Sequence, residues 1–117
     1  MAMTIQSLAA LLPQAWSGAS SSQWRPENPA AGQCSVTALL VQELLGGEIL
    51  KTRVGAAWHF YNRLDGVRHD LTDSQFAAPI RYDDVATDRT DTMTDTSPRQ
   101  YAALHARALA LLTERAA

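Results

Sequence analysis

Residues 33–45, QCSVTALLVQELL, constrain the fold more than any other stretch of the chain. Val36, Leu39, Leu40 and Leu44 fall on one broad helical face, Ala38 and Val41 flank it, and Gln42 and Glu43 are among the few polar positions. A helix apolar around so much of its circumference must be covered on most sides, which makes it the central element. Gly32 before the segment and Gly46-Gly47 after it mark its two ends. The chain has 117 residues, enough to wrap one such core, so one domain over 1–117 is expected.

The hydrophobic period changes immediately after this helix. Residues 48–54 (EILKTRV) and 58–64 (WHFYNRL) are rich in β-branched and aromatic side chains and read as strands. Asp65-Gly66 reads as a two-residue hairpin turn, and residues 67–71 (VRHDL) return as a third strand, giving an antiparallel meander. A capped turn with Thr72 or Asp73 as cap follows. Upstream, Ile5, Leu8, Ala9 and Leu12 are spaced for a short helix over 4–12, capped by Thr4 and stopped by Pro13. Residues 17–32 form a long Ser-, Gly- and Pro-rich loop anchored by Trp24, and long loops of this kind often carry function. Residues 83–98 read as a solvated acidic loop without visible chemistry. A last helix spans 98–115, with Tyr101, Leu104, Ala108, Leu111 and Leu112 facing inward. The fold class expected is α+β, a central helix with the cysteine at its N-terminus, packed on a small antiparallel sheet.

Chemistry is expected at that N-terminus. Cys34 is the one cysteine, which excludes an intrachain disulfide and fits a reducing, cytoplasmic setting. The first turn of a helix offers unpaired N–H groups and a partial positive charge, which favour a thiolate and can hold an oxyanion beside it. The alternative is that Cys34 is a small buried apolar residue. With a two-residue turn at Asp65-Gly66, Tyr61 opposes Asp70, so His59, Tyr61 and Asp70 share one sheet face. Asp70 then lies diagonally across from His59, within reach of one imidazole nitrogen, leaving the other for Cys34. This geometry requires the helix N-terminus to lie over the face carrying His59 and Asp70. Asn62 points to the other face, and His69 and His105 read as surface or partly packed residues. The amides of Gln23, Asn28 and Gln33 are candidate oxyanion or substrate-binding donors, each also able to serve as a loop hydrogen bond.

Composition narrows the partners. A net charge of −2 lacks the basic footprint of a nucleic-acid binder. No apolar run is long enough to span a bilayer, and the first residues lack the basic region of a secretory signal. Thiolate, imidazole and carboxylate can also ligate zinc, but no short-spaced ligand pair is present, so neither a metal nor a cofactor is expected.

The stretch WRPENPAAGQCSVTALLVQELLGGEIL, followed by WHFYNRLDG and DLTDSQF, resembles the small bacterial YunG-like proteins. Their pattern is a W-x-x-x-N-P loop, a G-Q-C-x-V-T-A helix start, a G-G-E-I strand start, an H-x-x-N strand and a D-L-T segment. Trp24, Asn28 and Pro29, Gly32 to Ala38, Gly46 to Ile49, His59 and Asn62, and Asp70 to Thr72 are the counterparts. The resemblance covers residues 16–112; Phe60 departs from the Tyr-Trp pair more usual there. It implies a minimal papain-like or transglutaminase-like domain, in which Cys, His and Asp follow in that chain order, as Cys34, His59 and Asp70 do. The activity expected is a cysteine hydrolase or acyltransferase acting on an amide, isopeptide or thioester bond of a peptide, protein or small molecule. The alternative is a non-catalytic peptide- or protein-binding module on the same scaffold.

Overall fold

The helix at the centre of the sequence is also at the centre of the molecule. In the computed structural model it is α2 (Cys34–Leu45), and every residue from Cys34 to Val41 is buried. The structure describes residues 3–116; the outermost residues of the expected domain, Met1, Ala2 and Ala117, lie outside the described residues. One side of α2 packs on α1 (Ile5–Ala15) and α4 (Pro98–Ala116). Leu8, Leu11 and Leu12 of α1 meet Val36, Leu40 and Val41 of α2 and Leu104, Ala108 and Leu111 of α4 in one apolar cluster. The Trp16 indole donates to Thr37 Oγ1 at 2.9 Å across this layer, and Trp24 packs against its edge. The other side of α2 lies on the sheet, where Ala38 and Leu39 join Ile49 and Phe60.

The sheet contains β1 (Glu48–Val54), β2 (Ala57–Leu64), β3 (Val67–His69) and β4 (Val85–Thr87), in the order β3-β2-β1-β4, all neighbours antiparallel. The architecture is therefore α+β with a small antiparallel sheet. Leu64 pairs with Val67, Arg63 with Arg68 and Asn62 with His69. That is the register of a two-residue Asp65-Gly66 turn, and both turn residues have positive φ.

Four expectations need correction. First, α1 does not stop at Pro13 but runs to Ala15. Pro13 lacks only one N–H, it faces solvent, and the burial of Leu11, Leu12, Ala15 and Trp16 around it holds the last turn. Second, β3 ends at His69 and not at residue 71, because Asp70 turns its carboxylate onto the Thr72 N–H (3.2 Å) and the chain enters a 3-10 turn at Asp73–Gln75. Third, residues 83–98 contain β4 and a short helix α3 (Arg89–Met93), capped by the Asp88 side chain. Lys51 of β1 pairs with Asp91 of α3 at 2.7 Å. Fourth, the body of α2 does not cover the face that carries His59. It covers the face of Phe60 and Asn62, and Asn62 Nδ2 donates to the Ala38 carbonyl at 3.0 Å. The opposite face, with Thr52, His59 and Tyr61, is closed by the segment after β3: Thr52 Oγ1 donates to Asp83 (2.9 Å), Tyr61 to Asp84 (2.9 Å), and His59 packs edge-on against Phe76.

Candidate active site

Cys34 is the first residue of α2, and no side chain caps that end; its N-cap, Gln33, makes no capping hydrogen bond. Uncapped first-turn N–H groups remain free to bind a negative charge. Gly32, just before, has φ +71°, and a Cβ there would collide with Ser21 Oγ and come within 2.8 Å of Gln23 Cβ. The glycine thus lets residues 21–23 press against the start of α2.

His59 is buried on β2, with 3% of its surface exposed. Its Nε2 lies 2.7 Å from Asp70 Oδ2, so Nδ1 is the nitrogen left for other partners. Asp70 is held from several directions: Tyr82 OH donates to Oδ2 at 2.8 Å, and the Thr72 N–H and hydroxyl donate to Oδ1 at 3.2 and 3.3 Å. Burial and the Asp70 carboxylate push the Tyr82 phenol up, so it stays protonated and donating. For His59, burial opposes the charged form, but hydrogen bonds to Asp70 and Cys34, and their charges, outweigh it and raise the pKa to about 9. The ring therefore carries its proton at neutral pH.

Cys34 packs with Phe60, the neighbour of His59 along β2 that points to the other face, yet Cys34 and His59 both line one cleft of about 390 Å³. β3 pairs only with residues 62–64, so the first half of β2 has no strand beside it on that side. The cleft is walled there by Ser21, Gln23, Gln75 and Phe76. Gln75 ties this wall together: Nε2 donates to the Thr72 carbonyl at 3.1 Å, and Oε1 accepts from the Gly32 N–H at 3.3 Å. A continuous hydrogen-bonded path thus runs from Asp70 through Thr72 and Gln75 to the residue before Gln33 and Cys34.

The three candidate amides have different placements. Gln23 lines the cleft and is exposed to it. Asn28 instead donates to the Gln75 carbonyl at 3.2 Å, holding the loop. Gln33 is fully buried, accepting from Ser20 Oγ at 2.8 Å and donating to the Ser17 carbonyl at 3.3 Å. Neither of the latter two lines the cleft. His69 lies in a separate surface hollow beside Leu64 and Val67, and His105 pairs with Glu43 at 2.5 Å.

Three polar residues of the site escaped the sequence reading: Tyr82, Gln75 and Asp95. Asp95 follows α3, and its Oδ2 lies 4.0 Å from Cys34 Sγ. Desolvation pushes its carboxyl up, against a hydrogen bond from Ser35 and the charge of His59. No sequence signal distinguishes Asp95 from the other aspartates of the acidic run. Among the described residues, no group of three or more His, Cys, Asp or Glu is arranged to hold a metal ion, and no helix is long and apolar enough to cross a membrane.

Fold and cleft together define a small α+β protein with its one cysteine at a helix start, beside a buried His–Asp pair. The chain belongs to the YunG family, whose sequence model, described as YunG protein, matches residues 4–113. The relative named "Uncharacterized protein YunG", from Bacillus subtilis (strain 168), is 50% identical over 91 residues, covering 78% of this chain and 79% of the relative. No solved structure matches the chain.

Proposed function

We propose that this protein is a cysteine hydrolase or acyltransferase with a papain-like or transglutaminase-like site, acting on an amide, isopeptide or thioester bond. The observation that carries this reading is the 2.7 Å bond from His59 Nε2 to a fully hydrogen-bonded Asp70, in a ring that lines the same cleft as Cys34. Cys34 attacks the carbonyl as the thiolate, its proton having passed to His59. A sulfur–carbon bond forms, and the oxyanion is met by the Cys34 N–H and the Gln23 amide. His59 then gives its proton to the departing amine or thiol as the old acyl bond breaks. Water or an acceptor amine attacks the acyl-cysteine, loses a proton to His59, and releases the sulfur as thiolate. Asp70 keeps the ring oriented and supports its charge throughout. A peptide or small amide fits a cleft of this size, and a thiol nucleophile persists in the reducing cytoplasm, where we place the protein.

The test is intact-mass measurement after mixing the protein with a panel of peptide esters and thioesters. The native protein should gain an acyl group and release product, while Cys34→Ala gains none. His59→Ala should slow acylation by about 10²-fold or more. Absence of both adduct and turnover across the panel, or equal turnover by Cys34→Ala, would leave a binding module on the same scaffold as the better description.

A further inference from the structure

Asp95 has no task in the attack or the proton transfers just described. It is held where it is by the turn joining α3 to α4: its N–H donates to the Thr92 carbonyl at 3.1 Å, and the next side chain, Thr96, bonds Gln100 at 3.0 Å. Among the described residues lining the cleft, Asp95 is the one carboxylate, and no lysine or arginine is among them. The charge of His59 reaches Asp95 as well, but Asp70 meets it directly, at 2.7 Å from Nε2. A carboxylate 4.0 Å from the sulfur also repels the thiolate that the reaction needs. Both features are accounted for by a positively charged group on the substrate.

We propose that Asp95 binds the ammonium group of the acyl donor, so that the substrate is an amide or thioester of an amino acid whose own amino group is free. The proposal rests on the acyl-transfer reading above and adds the class of substrate. When Cys34 bonds to the carbonyl carbon, an α-ammonium lies two bonds from that carbon, close to the sulfur. A charge-assisted N–H···O contact of about 2.7–2.9 Å then bridges naturally to an oxygen 4.0 Å from the sulfur. An ammonium at the end of a long side chain would have to fold back to reach it. Binding the cation also cancels the repulsion between Asp95 and the thiolate, so the correct substrate favours its own nucleophile. The bond made is Sγ–C, the bond broken is the carbonyl carbon's bond to its amine or thiol, and the ammonium keeps its protons throughout.

The experiment compares the ethyl thioesters of alanine and of N-acetylalanine, as kcat/KM, with the native protein, Asp95→Asn and Asp95→Glu. The native protein should prefer the free-amine thioester by roughly 10- to 100-fold, the worth of one hydrogen bond between charged groups. Asp95→Asn should bring that ratio close to one, and Asp95→Glu should restore part of it. An unchanged ratio in Asp95→Asn, or a native preference for the acetylated thioester, overturns the assignment of Asp95 and leaves the hydrolase reading standing. Failure of both thioesters to acylate Cys34 in the native protein overturns the assignment and counts against the hydrolase reading as well.

Discussion

At the scale of single residues, His59 is a buried imidazole held in its charged form by its neighbours. Its pKa stands at about 9 against an ordinary 6.5, burial being outweighed by Asp70 and Cys34. A pKa raised on folding stabilises the protein fully below about 6.5, and that stability is lost as pH rises through about 9. Urea unfolding of the native protein and of His59→Gln should therefore give a stability difference that shrinks between pH 6 and pH 10, by on the order of 3 kcal/mol at most. A difference independent of pH would mean that the ring is not held charged. Asp70→Asn removes the main opposition to burial, so the His59 ring should titrate at least one unit lower, followed by NMR of the imidazole protons. The His59–Asp70 pair was legible in the sequence because the two-residue turn sets the register that brings Asp70 back beside His59, although β3 itself ends at His69. Tyr82 and Gln75, which hold Asp70 and the loop, were not, since their partners are set by the path of the chain after β3.

At the scale of elements, the junction between the long loop and α2 decides where the cysteine sits. Gly32 has φ +71° and leaves no room for a Cβ beside Ser21 and Gln23, whereas Gly18 in the same loop has nothing within 4 Å. Gly32→Ala should lower stability by about 1–3 kcal/mol and change the alkylation rate of Cys34. Gly18→Ala should leave both within error. Thermal unfolding and iodoacetamide labelling of the two variants make the comparison, and equal behaviour would show that the loop is not braced at Gly32. The elements recovered from sequence were those with strong local pattern: α2 with its glycine ends, the β1–β2 strands and the Asp65-Gly66 turn. β4 and α3 were missed for the opposite reason. A three-residue strand, Val85–Thr87, has too few side chains to show a period, and its existence depends on pairing with Ile49–Lys51.

At the scale of the whole molecule, α2 couples two layers, the α1–α4 pair on one side and the sheet on the other. Leu40 is fully buried in the helical cluster, so Leu40→Ala should cost about 2–5 kcal/mol. Because the same helix supports both layers, unfolding should be a single transition. Trp16 and Trp24 report on the helical cluster and Trp58 on the sheet side. Single-tryptophan variants should thus give urea midpoints that coincide with one another and with far-UV circular dichroism. Separate midpoints would show that the two layers unfold independently.

What the sequence determined by itself is local: which faces are apolar, where the Asp65-Gly66 hairpin turns, that Cys34 opens a helix, and that the turn brings Asp70 back toward His59. These follow from side-chain period and turn chemistry, which act over a few residues. The tertiary structure decided which faces meet. α2 settled on the Phe60–Asn62 face, where Asn62 reaches the Ala38 carbonyl, and not on the face of His59. Cys34 and His59 share a cleft because β3 stops at His69 and leaves the first half of β2 open on that side. Asp95 arrived beside the sulfur from an acidic run far along the chain. Such choices depend on the burial of apolar surface summed over the whole chain, which no local window contains.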